Sequence, residues 1–149
     1  MQTLHTLAPP LIVRGAQEAA RWYADAFGMA EHGHRLTTPD GKFMHIELRL
    51  GDCQLQIADE FPDWGILSPL SIGGTSTVLE LKFSDVRPVW ERAVAKGGVV
   101  RQPLDEMFWG DLHGQLTDPF GHRWNLSQHL REVAADEQQQ AVTALFATT

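Results

Sequence analysis

The stretch from Pro10 to Gly28, PLIVRGAQEAARWYADAFG, decides how this chain is read. Leu11-Ile12-Val13 is a short apolar run entered through Pro9-Pro10, the pattern of a buried strand. From Ala16 to Phe27 the apolar residues Ala19, Ala20, Tyr23 and Phe27 recur at three- and four-residue steps. That spacing gathers them on one face of a helix. Gly28 stands where a left-handed residue ends a helix. The unit begins as a strand followed by a helix.

Outward from this stretch, Glu31 to Thr37 leads through the turn Thr38-Pro39-Asp40-Gly41 into two alternating arms. Met44, Ile46, Leu48 and Leu50 share one face of the first arm, and His45, Glu47 and Arg49 share the other. Across Gly51-Asp52, the residues Cys53, Leu55 and Ile57 oppose Gln54, Gln56 and Ala58. One face of this hairpin is expected to pack on the helix, which makes Cys53 a buried, inert thiol; the other face is polar.

The same plan returns later. Leu79, Leu81 and Phe83 alternate with Val78, Glu80 and Lys82. Ser84-Asp85 offers a helix cap, and Val86, Val89, Trp90, Ala93 and Val94 trace an apolar stripe that stops at Gly97-Gly98. Val99-Val100 starts a strand. After Asp118-Pro119-Phe120-Gly121, the residues Trp124 and Leu126 alternate with Arg123, Asn125 and Ser127. A shift of 70 positions takes Val13 to Phe83, Gly28 to Gly98 and Gly51 to Gly121, so a strand-helix-three-strand unit is used twice. Residues 1–149 are read as one α+β domain, with module 1 over about 7–60 and module 2 over about 76–129. A Pro/Gly-rich connector spans 61–75, and a polar helix over about 132–146 packs outside the repeats.

Composition narrows the function classes. With 43% hydrophobic and 21% charged residues, the chain is neither disordered nor membrane-like. No apolar run reaches the ~20 residues of a bilayer span, and the N-terminus shows no export signal. A net charge of −7 without a Lys/Arg cluster argues against nucleic acid. The single cysteine fits a reducing cytoplasm, the expected location.

Several stretches carry a resemblance. They are Pro10-Leu11-Ile12-Val13 leading to Arg21-Trp22-Tyr23-Ala24-Asp25-Ala26-Phe27-Gly28, then Asp40-Gly41-Lys42-Phe43-Met44-His45-Ile46-Glu47-Leu48 and Ala58-Asp59-Glu60-Phe61-Pro62, followed by Phe108-Trp109-Gly110-Asp111 and Asp118-Pro119-Phe120-Gly121-His122-Arg123-Trp124. Over about residues 9 to 129 the chain resembles the vicinal-oxygen-chelate superfamily of glyoxalases, bleomycin-resistance proteins and dioxygenases, and within it the PhnB-like branch. The resemblance implies two βαβββ modules forming a curved eight-stranded mixed sheet around a concave cavity, helices outside, in a homodimer.

It also implies where a divalent metal would be held, on the first and last strand of each module. Carried over by motif, those positions are Ala8, Gln56, Val78 and Asn125. Two have no donor atom and none is anionic, so no metal or other cofactor is expected there. A divalent metal elsewhere is not favoured: His-x-Glu at His45 and Glu47, with Glu80 across the cavity, is a weak pattern. Other histidines, His113 and His129 among them, read as surface or turn residues.

The expected ligand-binding residues are Gln54, Gln56, Arg123 and Asn125 on the polar strand faces, with Phe108 and Trp109 supplying apolar area. The leading expectation is metal-free binding of a small organic molecule, for sequestration, resistance or carriage. The alternative is a lyase, isomerase or dioxygenase in which His45, Glu47 and Glu80 move a proton. A purely structural or oligomerising domain is the third class. The sequence names no ligand.

Overall fold

The computed structural model describes residues 1–147. In the first module β1 (Pro10–Val13), α1 (Ala16–Phe27), β2 (Ala30–Thr37), β3 (Phe43–Leu50) and β4 (Cys53–Asp59) follow in that order. The connector carries a 3-10 turn at Pro62–Trp64 and a short helix, α2 (Pro69–Ile72). The second module runs β5 (Val78–Lys82), α3 (Arg87–Ala95), β6 (Val99–Glu106), β7 (Asp111–Thr117) and β8 (Arg123–His129), and α4 (Ala135–Phe146) follows. The α+β class with two tandem modules is as read from the sequence. Hydrogen bonding divides the eight strands into two sheets of four, ordered β1-β4-β3-β2 and β5-β8-β7-β6.

The repeat extends to strand pairing, with the register one residue shorter in the second module. β1 runs parallel to β4 with Pro10 opposite Gln56, and β5 runs parallel to β8 with Glu80 opposite Asn125. In both modules the last strand is therefore central, flanked by the first strand and the third.

Each sheet buries its apolar face under helices. Ala19, Tyr23, Ala26 and Phe27 of α1 are buried with Ile46, Leu48, Leu55 and Ile57. Val86, Val89 and Ala93 are buried with Leu112, Leu116, Trp124 and Leu126. All of these residues form one core, because α1 also reaches the second sheet. The Trp124 ring lies 5.5 Å from Tyr23 and 4.9 Å from Phe27. Trp22 donates through Nε1 to the Lys96 carbonyl at the end of α3 (2.8 Å), and His122 Nε2 meets the Ile12 carbonyl at 2.9 Å. Burying one such aromatic side chain is worth about 1.5–3 kcal/mol, so this seam joins the modules firmly.

Local details bear out the glycine stops and correct two expectations. Gly28 has φ 78 and its N–H donates to the Ala24 carbonyl, and after α3 Gly97 (φ 107) is left-handed while the Gly98 N–H donates to the Ala93 carbonyl. Ser84-Asp85 does not cap α3: the Val86 N–H donates to Gln128 Oε1 at 3.1 Å, while Asp85 accepts only the Arg87 N–H at 3.4 Å. Cys53 is exposed. It opens β4, ahead of the buried pair Leu55 and Ile57.

The outer strands are irregular. β2 is exposed along its whole length and slips register between His32 and Thr37 against β3. β6 slips twice between Val100 and Asp105 against β7. In the connector Phe61 stacks on Trp64 at 5.3 Å, and Glu60 accepts the Ser68 N–H (2.7 Å) and the Ser71 hydroxyl. No residue of α4 is buried, and no described helix is long and apolar enough to cross a membrane.

Candidate functional site

The polar faces of the two sheets carry different chemistry. On module 1, Glu47 lies opposite Gln56 and accepts from Arg49 Nε at 2.6 Å. His45, Gln54 and Gln56 are half-buried beside it. Glu47 is thus neutralised by its own strand neighbour.

On module 2 the strands β5, β8 and β7 bring together a denser wall. Parallel pairing sets Glu80 opposite Asn125, and antiparallel pairing sets His113 opposite Ser127 and Gln115 opposite Asn125. Glu80 Oε1 accepts from Ser127 Oγ at 3.5 Å and stands 3.9 Å from His113 Nε2. His113 is only 7% exposed, and its Nδ1 is buried without a hydrogen-bond partner. The Trp109 ring meets the His113 ring edge-on at 5.4 Å and Phe108 at 4.9 Å.

Trp109 is held by a local turn. Gly110 donates to the Met107 carbonyl, and its own carbonyl accepts from Leu130 and Arg131 just beyond β8. At the start of β7, the buried Asp111 bridges Lys82 Nζ (3.1 Å) and His129 Nδ1 (2.9 Å). Burial alone would raise the Asp111 pKa; the hydrogen bonds from His129 and Lys82 outweigh it and hold the carboxyl below its usual range. His129 is raised, chiefly by its bond to Asp111.

The structure therefore sorts the sequence candidates. Glu80, Asn125, Trp109 and Phe108 cluster on module 2. His45, Glu47, Gln54 and Gln56 share module 1, and Arg123 stands at the start of β8, opposite Val78 and Thr117. Among the described residues no hydrogen bond or ion pair joins His45 or Glu47 to Glu80. The partner of Glu80 is His113, which the sequence reading left among surface histidines. A usable signal was present: Asp111, His113 and Gln115 alternate with Leu112, Gly114 and Leu116, the period of a half-buried strand.

The metal of the metal-dependent members does not fit these residues. Ala8 and Val78 offer no donor, and Asn125 Oδ1 already accepts from Gln115 Nε2 at 3.0 Å. Among the described residues no group of three or more His, Cys, Asp or Glu side chains is placed to hold an ion.

A two-module βαβββ chain with this site defines a class. Residues 3–126 match the model of the Glyoxalase/Bleomycin resistance protein/Dioxygenase superfamily, and the chain belongs to that superfamily. An uncharacterized protein of Mycobacterium tuberculosis is 38% identical over 141 residues, covering 93% of this chain and 82% of the relative. Protein PA1353 of Pseudomonas aeruginosa shares the fold at TM-score 0.69 and 23% identity, covering 85% of this chain and 98% of its own. TnmS3, an antibiotic-binding protein from Streptomyces sp. CB03234, shares it at TM-score 0.64 and 20% identity, covering 87% and 98%.

Proposed function

We propose that this protein is a metal-free binder of a small organic molecule, acting in sequestration, resistance or carriage. One observation carries the reading: His113, buried on a polar wall beneath Trp109, keeps Nδ1 without a partner. A buried polar atom left open costs about 1–3 kcal/mol, and a ligand group that hydrogen-bonds it recovers that cost. Trp109 supplies a flat apolar neighbour, and the amides of Gln56 and Asn125 can both donate and accept. The proposal extends to a cytoplasmic homodimer of the PhnB-like branch.

The test is a fluorescence titration of the purified protein with a panel of aromatic antibiotics and metabolites. Saturable quenching is expected, reduced when Trp109 becomes Phe and weakened about tenfold, about 1.4 kcal/mol, in His113→Gln. No saturable quench across the panel by folded protein overturns the reading.

The Glu80–His113 approach favours a second reading, a superfamily lyase or isomerase that moves a proton without metal. In it Glu80 is the base and His113 its partner, in place of His45 and Glu47. Turnover of a panel compound, lost in Glu80→Gln while its binding persists, would promote this reading over the first.

A further inference from the structure

A cavity of about 330 Å³ opens between the two modules. Its apolar wall is made by Met29, Leu55, Leu79, Leu81 and Trp124. Leu55 alternates with Gln56 and Trp124 with Asn125, so this wall belongs to the opposite faces of the strands from the site described above. Leu79, Glu80 and Leu81 line it consecutively because β5 is an edge strand and the cavity follows its free edge, and Asp52 to Leu55 line it at the start of β4, so Gln54 and Glu80 are the polar-face residues that reach it. The N-terminal segment from Thr6 to Pro9 borders the cavity without filling it, since the bordering Leu7 is 86% exposed.

We propose that this seam cavity is a second ligand site, for a flat apolar organic cation. The volume falls within the range of small-molecule sites. The half-buried Leu79 and Leu81, backed by the core residues Met29, Leu55 and Trp124, give an apolar wall suited to a flat ring system. The charges at the wall have one sign: Asp52 and Glu80 line it, and no Lys, Arg or His does. Asp52 has no ion-pair partner among the described residues, and the whole chain carries −7, so a cationic guest is favoured in approach and at rest. An anionic guest meets repulsion on both counts.

The cavity also has a built-in reporter. Cys53, the single cysteine of the chain, is exposed and lines it. The experiment follows alkylation of Cys53 by a neutral maleimide in the presence of proflavine, a flat tricyclic cation, or of anilinonaphthalene sulfonate, a flat anion. Proflavine is expected to slow labelling saturably, and the anion at equal concentration is not. Asp52→Asn, in the exposed turn before β4, raises the half-protecting concentration about threefold and Asp52→Lys about tenfold. Unchanged labelling of folded protein with saturating proflavine overturns the site, and equal protection by the anion overturns the choice of a cation. Because Trp124 borders the seam, only the part of the quench that Trp109→Phe removes reports the polar wall, while Cys53 labelling reports the seam, so either proposal can fail without the other.

Discussion

The Tyr23 hydroxyl, on the helix of module 1, donates to the Asp118 carboxylate in the β7–β8 turn of module 2. Asp118 is 3% exposed and also accepts from Trp124 Nε1 (2.8 Å) and from the N–H groups of Phe120 (2.9 Å) and His122 (3.0 Å). Four donors converge on one buried carboxylate, and Tyr23 is the one that comes from the other module. Tyr23→Phe is expected to cost about 1–3 kcal/mol by urea denaturation, because it removes a hydrogen bond to a charged, buried acceptor. Unchanged stability would show that this hydrogen bond adds nothing to the ring packing and the Trp22–Lys96 and His122–Ile12 bonds that also join the modules.

Tyr23 is also the only tyrosine, so its titration can be read directly. Burial, and then the Asp118 charge, raise its pKa well above the ordinary value. A raised pKa means the folded state holds the proton more tightly than the unfolded state does. That contribution is complete below about pH 10 and is lost as pH rises beyond it. Tyrosinate absorbance should therefore appear only together with alkaline unfolding. A separate titration near pH 10 in the native protein would contradict the clasp.

Asp111 and His129 bracket the working range of the module 2 wall from opposite sides. The depressed Asp111 contributes stability above its unfolded pKa near 3.9, lost as pH falls through the lower folded value. The raised His129 contributes below about 6.5, lost as pH rises through its higher folded value. NMR titration of His129 should give a midpoint above 6.5 that falls toward the ordinary value in Asp111→Asn, where only Glu132, 2.9 Å from Nε2, still raises it. An unshifted midpoint in the parent protein removes the bridge.

Gly110 is the glycine at which an added Cβ would make the shortest contact among the described residues. Its φ is 98, and a Cβ there would lie 2.0 Å from the Arg131 carbonyl oxygen. Gly110→Ala should lose at least about 2 kcal/mol of stability and release Leu130 and Arg131 to faster hydrogen exchange. Because Trp109 is the preceding residue, ligand quenching should weaken in the same variant. Parent-like exchange at both amides would show that the turn tolerates Cβ.

For the metal positions, Zn, Ni or Mn should leave the melting temperature unchanged, since Ala8 and Val78 supply no donors. Ala8→His combined with Val78→Glu should gain metal-dependent stabilisation. A shift in the parent protein, with stoichiometric metal recovered, would reverse the donor argument.

What could be read in the sequence was what local spacing controls. The ends of α1, the glycine punctuation at Gly28 and Gly51, and the alternation around Ile46 and Leu55 each depend on a few neighbouring residues. What stayed hidden depends on distant chain. Cys53 shares the parity of Leu55, yet only coverage by other elements separates buried from exposed. The N-cap position of α3 is Val86, whose N–H meets Gln128 from more than forty positions away, so the nearby Ser84-Asp85 pair was the natural but mistaken choice. His113 needed its cross-strand neighbours Ser127 and Asn125 before its burial had meaning.

The irregular outer strands bear on how much of this protein a cell can hold. A binder that does not turn over its ligand neutralises one molecule per site, so its usefulness scales with copy number. Crowded copies would meet through open strand edges, where unpaired backbone invites sheets to fuse end to end. The slipped registers of β2 and β6 spoil that template along these two exposed edges.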